Sequence, residues 1–134
     1  MDLNLEPYIQ TVRELKPYFE NWEEILREFL RLWISKGYPG VKLLVFGSIL
    51  SGKAHPALSD IDVLILAPEG LSPAEIRRLW LSEFRKRHPF HPFEFHFADS
   101  ELLKNWYSRF VKDWHEIRLD KEDRSENNPD RGGP

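Results

Sequence analysis

Hydrophobic residues in the first forty positions recur at the three- and four-residue spacing of amphipathic helices. Pro17 should end or kink the first helix, and Asn21 can cap a second one together with Glu24. The pattern therefore predicts two N-terminal helices within residues 1–40, which pack on the core or present part of their aromatic face to a partner. The two stripes are Leu5, Tyr8, Ile9, Val12, Leu15 and Phe19, then Trp22, Ile25, Leu26, Phe29, Leu30 and Trp33.

Three segments have the pattern of β-strands. Residues 41–46 and 60–67 are short, nearly uninterrupted apolar runs, typical of strands buried on both faces. Residues 93–98 alternate phenylalanine with polar side chains, which predicts a strand with one apolar face. Prolines at 89 and 92 confine that third strand to its second half.

Two further helices are predicted between and after these strands. Ser72-Pro73 is a strong helix start, and the following turns place Ile76, Leu79, Trp80 and Phe84 on one side. The basic residues of this helix lie on its other faces, where they are either solvated or in contact with phosphate or RNA. They are Arg77, Arg78, Arg85, Lys86 and Arg87. Asp99 or Ser100 caps a last helix, which we expect over 99–118 with Leu102, Leu103, Trp106, Phe110 and Trp114.

These elements predict an α/β (α+β) domain over residues 1–120, with a small mixed β-sheet and helices packed on it. The two N-terminal helices occupy 1–40, the core occupies 41–98 and the C-terminal helix occupies 99–118. Residues 121–134 contain no apolar side chain, which predicts a disordered polar tail.

Composition narrows the function. The chain has no cysteine, which excludes disulfides, thiolate metal sites and a cysteine nucleophile. A net charge of -3 argues against a bulk nucleic-acid binder. Because no apolar run is long enough to span a membrane and no signal peptide is visible, we expect a cytoplasmic protein.

Candidate chemistry lies at the ends of the predicted strands. Gly47-Ser48 follows the first strand, where it forms either a plain turn or, with a helix behind it, an anion site. Asp60 and Asp62 share one strand face, so they either bind a hard divalent ion or form a polar start to the strand. Glu94 is either a third carboxylate of the same site or an exposed side chain of an edge strand.

Three histidines lie close to Glu94 along the chain. His88, His91 and His96 raise the question of zinc, but the intervening prolines break regular ligand spacing and there is no cysteine. We interpret His96 as a neighbour of the site that orients the third acid or a phosphate.

Phe46-Gly47-Ser48, followed after residues 49–59 by Asp60-Ile61-Asp62-Val63, resembles the signature of the DNA polymerase β-type nucleotidyltransferase superfamily. The short chain is most similar to the minimal nucleotidyltransferases, many of which are encoded beside a helical HEPN protein as a toxin–antitoxin pair. The resemblance covers residues 41–98. It departs from the family in offering Lys53 where many members have arginine, and Glu94 where the third acid is often aspartate.

The resemblance implies a nucleotidyltransferase-like fold and a set of roles. Gly47 and Ser48 would hold the triphosphate of ATP or another NTP, with Lys53 and Ser59 as further nucleotide contacts. The metal ligands for two Mg²⁺ ions would be Asp60, Asp62 and Glu94, and Glu94 would help an acceptor hydroxyl attack the α-phosphate.

The resemblance to the nucleotidyltransferases implies two alternative functions of different class. The first is an Mg²⁺-dependent enzyme that transfers AMP from ATP to a hydroxyl of a partner HEPN protein. The second is a non-catalytic, nucleotide-binding antitoxin that neutralises that partner by binding. A transferase acting on RNA or a small molecule ranks last, because no basic second domain is present to hold RNA. The oligomeric state stays open.

Overall fold

The computed structural model describes residues 4–56, 58–107 and 112–119. Their four-stranded mixed sheet with packed helices confirms the predicted α/β (α+β) fold class. A π-helical turn over Leu103–Tyr107 continues the fourth helix. In chain order the elements are α1 (Glu6–Ser35), β1 (Lys42–Phe46), α2 (Ser48–Ser51), β2 (Ile61–Leu66), α3 (Pro73–Arg87), β3 (Phe93–Ala98), α4 (Ser100–Leu102) and β4 (His115–Ile117).

The two N-terminal helices form the two arms of one kinked run, α1. Pro17 lies inside this run, and the non-helical residue is Asn21, with φ -126° and ψ 23°. The side-chain amide of Asn21 donates to the carbonyl oxygen of Pro17 at 3.0 Å. Asn21 therefore marks the predicted boundary, but its side chain bonds back to the first arm instead of capping the second.

The sheet has the strand order β3-β2-β1-β4. Strand β1 runs antiparallel to β2 and β4, whereas β2 and β3 are parallel and are joined through α3. Phe46 pairs with Asp62, and Asp62 pairs with Glu94. This register places the two carboxylates side by side on neighbouring strands.

The helices α1 and α3 cover one face of the sheet. Along each strand every second side chain enters this core, so the intervening residues lie on the opposite face. The largest fully buried side chains include Trp33, Trp80 and Phe84. Phe29 packs between them, with ring centroids 4.6 Å from Trp80 and 4.9 Å from Phe84. The helix-covered face thus supplies stability and leaves the opposite face for chemistry.

Helix α3 begins and packs as predicted, apart from one residue. The Ser72 hydroxyl accepts a hydrogen bond from the backbone N–H of Ala74 at 3.2 Å. Ile76, Trp80 and Phe84 are buried, but Leu79 remains 38% exposed because it lies at the edge of the buried stripe. The five basic side chains of this helix are all exposed.

The predicted helix over 99–118 is correct only at its start. The Asp99 carboxylate caps it by accepting from the backbone N–H of Leu102 at 2.8 Å. The prediction is wrong at its end, where His115–Ile117 form β4 beside β1. Pairing with the free edge of β1 and burial of Ile117 in the core outweigh helical spacing. Phe110 and the predicted tail over 121–134 lie outside the described residues.

No helix in the described ranges is both long and apolar enough to cross a bilayer.

Candidate active site

The turn after β1 requires glycine on two grounds. Gly47 has φ +87° and ψ -156°, a conformation that side-chain-bearing residues rarely adopt. A Cβ atom placed on Gly47 would lie 2.7 Å from Oδ2 of Asp62. The residue predicted to approach a phosphate therefore closely approaches a carboxylate of the site itself.

Asp62 and Glu94 stand next to each other on the face that the long helices leave open. Asp62 is partly buried, with 26% of its side chain exposed, whereas Glu94 is 54% exposed. Their backbones are paired partners in the parallel β2–β3 register. The predicted convergence of these two acids is consistent with this placement, and Glu94 is the more accessible to a substrate.

His96 completes a cluster with the two acids. Its Nε2 atom lies 3.4 Å from Oδ1 of Asp62 and 4.0 Å from Oε1 of Glu94. One ligand atom from each of the three residues lies within 4.8 Å of the other two. His96 follows Glu94 by two positions on β3, so both side chains project from the same face.

The imidazole of His96 is held by aromatic neighbours on two elements. Its ring centroid lies 5.4 Å from that of Phe46 on β1 and 6.1 Å from that of Tyr107 in the π-helical turn. Phe46 in turn packs against Trp114 with a centroid distance of 5.1 Å. The sequence pattern indicated neither Tyr107 nor Trp114 as a neighbour of the site, because both reach it through the path of the chain after β3.

The donor set fits a divalent cation. Two ligands that each lie about 2.1 Å from one ion are separated by about 3 Å to 4 Å, depending on the angle between them. The two separations from His96 Nε2, 3.4 Å and 4.0 Å, fall in this range. Two adjacent carboxylates also favour a cation between them, because it offsets their mutual repulsion.

Asp60 stands apart from this cluster. It precedes the first residue of β2, is exposed, and is not a member of the three-residue group. The backbone of its neighbour Ile61 is fixed by a 2.9 Å hydrogen bond to the carbonyl of Pro92. The predicted role of Asp60 as a metal ligand thus stays a prediction, and binding would require its side chain to join the group.

The other predicted nucleotide contacts lie along the connection from β1 to β2. Ser48 begins the single-turn helix α2, and its carbonyl accepts from the backbone N–H of Lys53 at 3.2 Å. The Lys53 side chain is exposed. Ser59 closes a turn, with its hydroxyl accepting from the backbone N–H of His55 at 2.9 Å. Their roles in nucleotide binding stay predictions.

The remaining histidines of the 88–96 segment lie elsewhere. The His88 Nδ1 is hydrogen-bonded to the Tyr18 hydroxyl at 3.0 Å, and the His91 Nδ1 accepts from the backbone N–H of Phe93 at 3.0 Å. Burial lowers the pKa of both, that of His91 to about 4. This arrangement agrees with the argument against a zinc site made of all three histidines.

Comparison with known proteins gives one positive result. The family model described as a nucleotidyltransferase domain matches residues 23–122, well over half of the chain. The matched segment contains Gly47, all three predicted acids and His96. No curated protein and no solved structure matched the sequence.

Proposed function

Because the chain belongs to the nucleotidyltransferase domain family, we propose that it is an Mg²⁺-dependent enzyme of the EC 2.7.7 type that transfers AMP from ATP to a hydroxyl group. The observation that carries this proposal is the convergence of Asp62 and Glu94 beside Gly47. Family membership and an acidic cluster at the same turn support one chemistry, nucleotidyl transfer assisted by a divalent cation.

The acids have different surroundings and therefore different roles in this proposal. Asp62 is partly buried and held by His96, so it binds the cation together with Asp60. Glu94 is the more exposed, which suits a group that also meets the acceptor and takes the proton of its hydroxyl. Bound Mg²⁺ supplies charge neutralisation at the phosphate oxygens.

The nucleotide is held on the β1 side of the site. Gly47 and Ser48 bind the triphosphate, because a glycine turn lets backbone N–H groups approach phosphate closely. Lys53 and Ser59 add contacts from the loop before β2. The acceptor oxygen forms a bond to the α-phosphorus, the bond from that phosphorus to the bridging oxygen of the β-phosphate breaks, and pyrophosphate leaves.

The acceptor in this proposal is a helical HEPN-family protein that the chain neutralises in the cytoplasm. Its support is the resemblance to minimal nucleotidyltransferases together with one surface feature. Leu58 is 80% exposed only two residues before Asp60, and Leu5, Tyr8 and Ile9 are exposed at the start of α1. Exposed apolar side chains suit a protein acceptor better than a small polar one.

The test uses the full chain with the HEPN-family protein encoded beside it. With Mg²⁺ and ATP labelled at the α-phosphate, label should move to the partner, and Asp60→Ala or Asp62→Ala should abolish the transfer. ATP labelled at the γ-phosphate should leave the partner unlabelled, which separates nucleotidyl from phosphoryl transfer. Labelling from the γ-position alone would contradict the proposed reaction.

The same experiment distinguishes the enzyme from the second candidate function, a non-catalytic module that neutralises the partner by binding. The exposure of Asp60, outside the cluster, favours a module that binds without catalysis. If the Asp60→Ala/Asp62→Ala double variant still neutralised the partner fully and no label moved with the wild-type chain, the interaction module would replace the enzyme.

A further inference from the structure

We propose that His96 binds the cation of this site directly, beside Asp62 and Glu94, and thereby raises the affinity of the site for Mn²⁺ relative to Mg²⁺ above that of an all-carboxylate site. The inference deepens the proposed function, on which it rests for the use of the cation. It concerns a residue outside the Asp60, Asp62 and Glu94 set that the family resemblance implies.

The position of the imidazole nitrogen is the first argument. A single atom, Nε2, faces both carboxylates, at 3.4 Å from Asp62 and 4.0 Å from Glu94. An ion seated among these three residues would meet Nε2 at the same time as the two oxygens, because the three ligand atoms lie within 4.8 Å of one another. Without nucleotide, His96 is the third member of the cluster, and Asp60 lies outside it.

The fixed orientation of the ring is the second argument. Phe46 and Tyr107 contact the imidazole from two different elements. The ring is 27% exposed, so much of its surface is already covered in the free protein. Binding an ion therefore costs little side-chain conformational entropy at His96, which favours His96 over the exposed Asp60 as a ligand.

The chemistry of the donors gives the selectivity. Mg²⁺ prefers an all-oxygen shell and retains several waters. Mn²⁺ also suits oxygen ligands, but it belongs to the first-row transition series, whose later members bind imidazole well, so it accepts a nitrogen donor more readily than Mg²⁺ does. Replacing one of three carboxylates by an imidazole removes a negative charge and adds a nitrogen donor. Both changes weaken the advantage of a hard ion, so the ratio of Mn²⁺ to Mg²⁺ affinity should exceed that of an all-carboxylate site.

Two variants separate direct ligation from a positioning role. His96→Gln keeps a side chain that can donate a hydrogen bond to Asp62, and it can bind an ion only through its amide oxygen, so it removes the nitrogen ligand. His96→Asp restores an all-oxygen donor set. A residue that only positions Asp62 would be replaced adequately by glutamine, whereas a ligand would lose its nitrogen donor and with it the raised preference for Mn²⁺.

The test is cation binding to the full chain without nucleotide. Electron spin-echo spectroscopy of the Mn²⁺-loaded protein should detect a directly bound ¹⁴N nucleus, and His96→Gln should remove that signal. Calorimetric titration should give a Mn²⁺ affinity that falls by about tenfold or more in His96→Gln; because loss of an outer-shell contact can cost as much, the comparison with Mg²⁺ carries the distinction. Mg²⁺ affinity should change by less than about threefold, and His96→Asp should shift the preference towards Mg²⁺.

His88→Gln is the matched control, because His88 is hydrogen-bonded to Tyr18 away from the cluster. It should leave the nitrogen signal and both affinities unchanged. The inference is overturned if the wild-type Mn²⁺ spectrum lacks directly bound nitrogen, or if His96→Gln weakens both cations equally. Label transfer to the partner without the nitrogen signal would contradict His96 as a ligand and leave the proposed enzyme standing. The nitrogen signal without label transfer would support His96 as a ligand and contradict the proposed enzyme.

Discussion

A Cβ atom on Gly47 would lie 2.7 Å from Oδ2 of Asp62, so any side chain at residue 47 would displace the carboxylate that stands on β2. The antiparallel register is the cause, since Phe46, the last residue of β1, pairs directly with Asp62. A change at Gly47, the residue proposed to contact the nucleotide, therefore also affects Asp62, the residue proposed to bind the metal.

The first prediction is that Gly47→Ala disables the site. The added methyl group must displace the Asp62 carboxylate, and alanine at φ +87° adds strain of about 1–2 kcal/mol. We expect label transfer to fall by about a hundredfold or more and Mn²⁺ binding to weaken. Transfer assays, calorimetry and urea unfolding measure the three effects.

Gly70→Ala is the control for strain alone. Gly70 has φ +90°, close to that of Gly47, but a Cβ there would have no heavy atom within 4 Å. It should lose stability through backbone strain and keep wild-type cation binding. If Gly47→Ala bound Mn²⁺ as tightly as Gly70→Ala does, the steric link to Asp62 would be wrong.

The second prediction separates Asp60 from Asp62. Asp62→Asn should lose most Mn²⁺ binding in the absence of nucleotide, because Asp62 belongs to the preformed cluster. Asp60→Asn should retain that binding within about threefold and still lose label transfer, because Asp60 is exposed outside the cluster and in the proposed reaction would join the site with Mg-ATP. Calorimetry without nucleotide, beside transfer assays with it, tests both statements.

Equal loss of nucleotide-free binding in the two variants would show that Asp60 is already a ligand in the free protein. Wild-type transfer by Asp60→Asn would instead exclude it from the mechanism.

The sequence predicted the strongly patterned helices and strands well, and it predicted the contacts between different strands less well. Alternation between Phe93 and Phe97 defines both the strand and its polar face, because the two-residue period leaves little freedom. The same rule does not extend to Asp60, since it applies only within a strand and β2 begins at Ile61. The contact of Asp62 with His96 depends on the parallel register, which no local pattern encodes.

Strand β4 was missed for a related reason. Its three residues are too few to display a period, and their stability comes from pairing with β1, which lies some seventy positions earlier in the chain. Helix propensity and spacing in 99–118 are local signals, and here a distant strand edge overrides them.

The third prediction concerns the attachment of β4. Arg27 on α1 donates through Nε to the carbonyl of Arg118 at 3.0 Å, while its terminal nitrogens pair with Glu23 and Glu24 at 2.7 Å each. Lysine cannot make this set of contacts. Arg27→Lys should lower the unfolding free energy by about 1 kcal/mol and speed amide hydrogen exchange in residues 115–117.

Lys16→Met is the comparison for an ordinary surface pair. Lys16 lies 3.7 Å from Glu20, and both side chains are more than half exposed. Its loss should change stability by less than about 0.5 kcal/mol and leave exchange in β4 unaltered. Equal protection of residues 115–117 in Arg27→Lys and wild type would show that the contact with Arg27 does not hold β4 in place.

The fourth prediction is that His91 makes the fold less stable in mild acid. Burial, reinforced by the nearby charges of His88 and Arg85, lowers the pKa of His91 from 6.5 to about 4. Between these two values the unfolded chain binds the proton and the folded chain does not, so the free energy of unfolding falls as pH drops through this window. Protonation would also break the hydrogen bond from the backbone N–H of Phe93.

His91→Asn tests this, because the asparagine carbonyl can still accept from Phe93 while no longer titrating. The full linkage between pH 7 and pH 5 is about 2 kcal/mol, and partial solvent screening of the ring reduces it to about 1 kcal/mol. Urea unfolding at the two pH values should therefore show a drop about 1 kcal/mol smaller in His91→Asn than in wild type. An identical drop in both proteins would mean that His91 can take up its proton without disturbing the packing around Phe84, whose ring centroid lies 4.9 Å from its own.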